Sequence, residues 1–125
     1  MHELAICQAL ISQVENLARE NDAIKVASIT LGLGPLSGVE ETLLRHAYPV
    51  ASAGTLAEDA ELIIQISPIR VHCSSCGKET DAKPNRLICA HCKDWKTELV
   101  SGDELLLIQL ELDKAETKTA ETANN

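Results

Sequence analysis

The sequence predicts a mixed α/β (α+β) fold: a small three-stranded sheet covered by two helices, with a cysteine-bearing unit inserted before the last strand. Three observations carry this expectation. Apolar residues recur at helical and then at strand spacing, twice in succession. Four of the five cysteines fall in one short stretch. That stretch, residues 70–98, holds six basic and four acidic groups in a chain whose net charge is -8.

Residues 3–20 read as an amphipathic helix. Cys7, Leu10, Ile11, Val14, Leu17 and Ala18 share one face, opposite Gln8, Gln13, Glu15, Arg19 and Glu20. Asn21-Asp22 end it. Residues 24–33 alternate Ala27, Ile29, Leu31 and Leu33 against Lys25, Ser28 and Thr30, the pattern of a half-buried strand. Gly32, Gly34 and Pro35 mark the turn that follows. Ser37-Gly38-Val39-Glu40 matches a capping box, in which the Ser37 hydroxyl accepts from the Glu40 amide and the Glu40 carboxylate reaches back. A second helix is expected from there to about Ala53, with a kink or an early end near Tyr48 because Pro49 interrupts it. Residues 61–66 and 105–112 supply two further strands, the last preceded by a Gly102-Asp103 turn. The expected division is 1–69 with 99–113 as one domain, 70–98 as an inserted second, and 114–125 as a disordered tail without large apolar groups.

Bulk composition narrows the function. A 45% hydrophobic chain of 125 residues can build one core. Its longest apolar runs, such as residues 105–110, fall short of the ~18–20 residues that span a bilayer. No leader of the basic-then-apolar kind precedes the first helix, so the expected location is cytoplasmic. The acidic balance, with Trp95 and Tyr48 as the whole aromatic complement, weighs against nucleic acid as a partner.

In a reducing compartment, paired cysteines point to metal or redox chemistry before disulfides. Cys73-Ser-Ser-Cys76 is followed after 12 residues by Cys89-Ala-His-Cys92. Two such pairs form two tight knuckles whose sulfurs converge on one ion, and four thiolates suit tetrahedral Zn(II). Gly77 supplies the positive φ such a knuckle needs. A site closed by four cysteines is structural, and the metal supplies folding energy that about 28 residues cannot find in a core of their own. The surplus of Lys78, Lys83, Arg86, Lys93 and Lys96 offsets the formal -2 of the site. Two disulfides or a redox dithiol are the competing readings, disfavoured by the regular spacing. His72 and His91 read as solvated neighbours of the ligands, and Cys7 as a small core residue.

The chain opens Met1-His2-Glu3. A terminal amine, the His2 amide and the His2 imidazole can chelate one ion in fused five- and six-membered rings, a donor set that favours square-planar Ni(II) or Cu(II). Taken alone, His2 reads as an accident of the start site and Glu3 as an acid in the first helical turn.

In combination these features resemble one family. The initial M-H-E, the LGLGPLSGVEE segment over residues 31–41, the double C-x-x-C and the final strand are together similar to the HypA/HybF hydrogenase maturation proteins, over residues 1–112. The resemblance implies a non-enzymatic nickel metallochaperone with a small α/β nickel domain and a zinc domain. It implies Ni(II) as cargo at Met1, His2 and Glu3, and an acid at the position of Glu40 close to the nickel. It further implies Zn(II) at Cys73, Cys76, Cys89 and Cys92. The implied partners are the GTPase HypB and the hydrogenase large-subunit precursor, not nucleic acid or membrane. A monomer or weak homodimer is expected. Two departures stand out. Some members carry a histidine just after the last cysteine, where this chain has Lys93. Some carry Asp where this chain has Glu40, for which the helix cap is the preferred role. No phosphate loop or nucleophile–base arrangement is present. The alternative is a zinc-ribbon module for protein interaction or nucleic-acid binding, which would be indifferent to residue 2.

Overall fold

The structure is a computed structural model that describes residues 2–114; Met1 and the tail beyond Lys114, expected to be disordered, lie outside the described residues. The order is helix α1 (His2–Glu20), strand β1 (Ala23–Leu33), helix α2 (Glu41–Ser52), strands β2 (Glu61–Ile66), β3 (Arg70–Cys73), β4 (Glu79–Asp81) and β5 (Thr97–Ser101), and strand β6 (Leu105–Lys114). One sheet runs β2-β1-β6 and a second β4-β3-β5. The second lies between the last two strands of the first in sequence, as expected of an insertion. Its three short strands were not individually legible. Among the described residues no helix is long and apolar enough to cross a membrane.

Two compact units emerge. Among the described residues, one gathers 2–30 with Thr42–Ile63 and 108–114; the other holds Leu31–Glu41 and Ile64–Leu107.

In the first unit, α1 buries Cys7, Leu10, Ile11, Val14 and Ala18, the face its periodicity marks. The Cys7 sulfur lies 3.5 Å from the Leu44 carbonyl of α2. Leu44, Tyr48 and Ser52 are buried at four-residue intervals, one stripe of α2. α2 continues through Pro49 to Ser52, close to the expected end at about Ala53, so of the two outcomes expected at Pro49 the early end does not occur. Proline removes one helical donor. Packing on both sides of it holds the last turn in place: Tyr48 is buried and its hydroxyl donates to the Ala57 carbonyl at 2.7 Å. Tertiary burial, not propensity, sets that helix end.

Two further expectations change. Ser37 accepts from the Val39 amide at 3.2 Å and α2 starts at Glu41, so Glu40 stands at the N-cap position and not inside the first turn. The polar face of β1 is not solvated either, since Ser28 and Thr30 are buried. β1 is the central strand, with a neighbour on each side. The Ser28 hydroxyl meets its burial by donating to the Glu111 carboxylate of β6 at 2.8 Å.

In the second unit, two glycines bring backbone against backbone. The Leu36 amide donates to the Gly102 carbonyl at 2.7 Å, and the Gly34 amide to the Glu104 carbonyl at 2.8 Å. A Cβ at Gly34 would lie 2.3 Å from the Gly102 oxygen, a contact only glycine permits. β3 pairs antiparallel with β4 (Val71 opposite Thr80) and with β5 (Val71 opposite Leu99). Arg70 braces the β4 side through Asp81, Nη1 to Oδ1 at 2.7 Å.

Candidate metal centres

Cys73 is delivered by the end of β3, a strand paired on both sides. The chain then reverses in a tight knuckle. The Cys76 amide points at the Cys73 sulfur at 3.4 Å, and the Gly77 amide donates to the Cys73 carbonyl at 2.9 Å. The second knuckle repeats the first. The Cys92 amide lies 3.4 Å from the Cys89 sulfur, and the Lys93 amide donates to the Cys89 carbonyl at 2.8 Å. Each is closed by the amide of its first cysteine, Cys73 to the Lys78 carbonyl and Cys89 to the Asp94 carbonyl, both at 2.9 Å. Each also ends on a left-handed residue, Gly77 at φ 76° and Lys93 at φ 67°. The Ser75 hydroxyl donates to the Asp94 carboxylate and ties one knuckle to the other. That hydrogen bond, with a second from the Lys96 amide, holds Asp94 below the ordinary carboxylate value. Nothing in the spacing announces this tie.

The four sulfurs all lie within 4.8 Å of one another. Cys73 and Cys92 are 3.5 Å apart, and Cys76 and Cys89 3.6 Å. A tetrahedron with metal–sulfur bonds of about 2.3 Å has edges of about 3.8 Å, so the donor set and its spacing fit one such ion. Cys73 and Cys89 are buried, whereas Cys76 and Cys92 are exposed. His72 and His91 are not members of the cluster.

The contacts between the four sulfurs set their acidities apart. At Cys89 the Cys92 amide, and then the His91 amide, stabilise the thiolate and outweigh burial, bringing it down to about 6. At Cys92 the Asp94 amide acts to lower the value, but the Cys73 sulfur, burial and the other two sulfurs outweigh it and push it up to about 12. Cys73 is lowered, first by the Cys76 amide. Cys76 is raised: the Lys78 amide acts to lower it, and burial with the Cys89 and Cys73 sulfurs prevails. Each close contact thus pairs a sulfur whose pKa is lowered with one whose pKa is raised. A divalent cation held by Cys73, Cys76, Cys89 and Cys92 would take the place of their protons and favour all four as thiolates.

At the other end, α1 begins at His2, whose side chain is 61% exposed with Nδ1 3.5 Å from Glu3 Oε1. Glu3 is only 5% exposed. One turn on, burial first and then the Glu3 charge raise the Cys7 thiol above its ordinary value. The structure therefore brings His2 and Glu3 together. Met1 lies outside the described residues, and Glu40 belongs to the other compact unit.

The family profile described as HypA, hydrogenase/urease nickel incorporation, metallochaperone, matches residues 1–112. The chain belongs to the HypA family. Among curated relatives, the hydrogenase maturation factor HypA of Nitrosospira multiformis is 52% identical over 112 residues, 90% of this chain and 97% of that protein. The hydrogenase maturation factor HypA of Aquifex aeolicus is 40% identical over 113 residues, 90% of this chain and 98% of that protein. The solution structure of the Ni metallochaperone HypA from Helicobacter pylori superposes with a TM-score of 0.69 at 23% identity, covering 90% of this chain and 98% of that one. At that identity the superposition speaks for the HypA fold alone. The resemblance read from the M-H-E opening and the two cysteine pairs is thus correct at the level of family and fold class.

Proposed function

We propose that this chain is a nickel metallochaperone that binds Ni(II) through Met1, His2 and Glu3 and hands it to the hydrogenase large-subunit precursor during nickel–iron hydrogenase maturation. The GTPase HypB is its partner in the transfer. The protein works in the cytoplasm as a monomer or weak homodimer, and not as an enzyme. The observation that carries the reading is the exposed His2 imidazole at the head of α1, beside the Glu3 carboxylate.

The chemistry supports it. The first four amides of a helix have no intrahelical acceptor, so the His2 nitrogen is available to a metal. The positive end of the helix dipole opposes a cation there. A carboxylate next to the imidazole and a deprotonated amide offset that opposition. A partial, exposed ligand set releases its ion to a partner more readily than a closed one. Glu40 retains the helix-cap role as its primary assignment and nickel coordination as its secondary one.

The four cysteines would hold a resident Zn(II), which supplies charge and cross-linking to the 70–98 domain and no reactive position. Urease appears beside hydrogenase in the family description, and hydrogenase is the target favoured by the names of the relatives.

The test is a calorimetric titration of the untagged, zinc-loaded chain with Ni(II), set beside His2→Ala and a variant with one residue added before Met1. Both changes should weaken binding by about tenfold or more, about 1.4 kcal/mol. Equal nickel binding by all three would overturn the proposal and favour a zinc-ribbon interaction module, which has no use for residue 2.

A further inference from the structure

Neither metal site uses a concavity on the cysteine unit. Its volume is ≈ 270 Å³, and three cations, Lys83, Arg86 and Lys93, line it together with the apolar Ala82, Ile88 and Ala90. Hydrogen bonds to the backbone amides hold the walls in place. The Ala82 amide donates to the Ile69 carbonyl at 2.9 Å, and the Ala90 amide to the Thr80 hydroxyl at 3.0 Å. Lys83 and Arg86 face each other across a Pro84-Asn85 turn, closed by the Arg86 amide on the Lys83 carbonyl at 3.0 Å. Proline at that position sets the turn in advance.

The charges around it are unbalanced. Among the described residues, none of the three cationic side chains has an ion-pair partner. The one acid in the lining, Asp81, is already engaged by Arg70 at 2.7 Å. Three cations with no carboxylate partner among the described residues therefore line one small hollow in a chain of net charge -8.

We infer that this hollow receives an acidic peptide segment of a partner protein, in which carboxylates flank an apolar side chain. The cations match the carboxylates and the Ala82, Ile88 and Ala90 surface matches the apolar group. A nucleic acid fits less well, because its run of phosphates would extend beyond the three cations onto an otherwise acidic protein. An inorganic anion would leave the apolar lining uncovered. The inference stands independently of the nickel reading, since no lining residue is a proposed ligand of either metal.

The experiment uses the full, zinc-loaded, 15N-labelled chain at low salt and the capped pentapeptide Asp-Glu-Leu-Glu-Asp as the probe. Its uncharged counterpart, Asn-Gln-Leu-Gln-Asn, serves as control. The acidic peptide should shift the amide resonances of Ala82, Ile88 and Ala90, and its affinity should fall by tenfold or more in the Lys83→Glu/Arg86→Glu variant at unchanged zinc content. Should charge reversal disturb folding, Lys83→Met/Arg86→Gln keeps the aliphatic stems and should show the same loss. Three results would overturn the inference: equal binding of the uncharged peptide, undiminished binding by a folded double variant, or tighter binding of inorganic phosphate or a short oligouridylate at the same amides.

Discussion

Exchanging the residues that close the two knuckles tests how the cysteine unit is built. Gly77 and Lys93 occupy the same place, one residue after the second cysteine, with φ of 76° and 67°. A side chain in this left-handed region costs about 1–2 kcal/mol. Glycine avoids that strain but gives up about 0.5–1 kcal/mol of conformational entropy on folding. A Cβ at Gly77 would meet nothing within 4 Å, so Gly77→Ala isolates the backbone strain. The balance is a loss of about 1 kcal/mol for Gly77→Ala and a gain of about the same size for Lys93→Gly. Folding of the unit and metal binding are linked, so each change should appear in the apparent zinc affinity as about fivefold, in opposite directions. Competition against a chromophoric zinc chelator at fixed pH reads both, and Lys93→Ala separates lost charge from relieved strain. If Gly77→Ala and Lys93→Gly moved the affinity in the same direction, the two knuckles would not be equivalent and the reasoning would fail.

Other perturbations have equally definite outcomes. Gly34→Ala places a carbon 2.3 Å from the Gly102 oxygen, so backbone must move; stability should fall by about 2 kcal/mol or more, seen as a drop of several degrees in thermal midpoint. Tyr48→Phe removes a buried 2.7 Å hydrogen bond to Ala57 and should cost about 1 kcal/mol at neutral pH in denaturant unfolding. Burial, followed by Cys7, raises Tyr48 from 10.0 to about 12. The unfolded chain therefore loses this proton first, stability falls as pH rises from 10 toward 12, and the deficit of Tyr48→Phe against the parent should narrow over that interval. Cys7, raised in the same sense, should resist a thiol reagent at pH 8 in the folded protein and react in denaturant; equal rates in both would contradict its burial. Cys89→Ser should lose the bound metal and the dispersed amide resonances of the cysteine unit together, and retention of zinc would exclude the four-cysteine site.

Much of this was legible because it is local. The α1 face that buries Cys7, Leu10, Ile11, Val14 and Ala18 follows from 3.6-residue periodicity, and the cysteine pairs follow from the geometry of a knuckle. The M-H-E opening needed the rest of the motif beside it to carry meaning. What was not legible has one origin. Pro49 predicts a kink or an early end near Tyr48, and the alternation of β1 leaves open how deeply Ser28 and Thr30 are covered, because both readings rest on neighbours in sequence only. Packing around Tyr48, and the Glu111 carboxylate that reaches Ser28 from β6, decided them.

By itself, then, the amino-acid order determined the family, the two helices, the three strands of the first sheet and which four cysteines form a cluster, all of which depend on residue type and short spacing. Tertiary structure alone decided which sulfurs lie in contact and that Ser75 ties one knuckle to the other through Asp94. It alone gathered Lys83, Arg86 and Lys93 around one hollow. The reason is physical: the charges and thiols are local properties of the chain, but what each one opposes is set by strands and turns that meet only after folding.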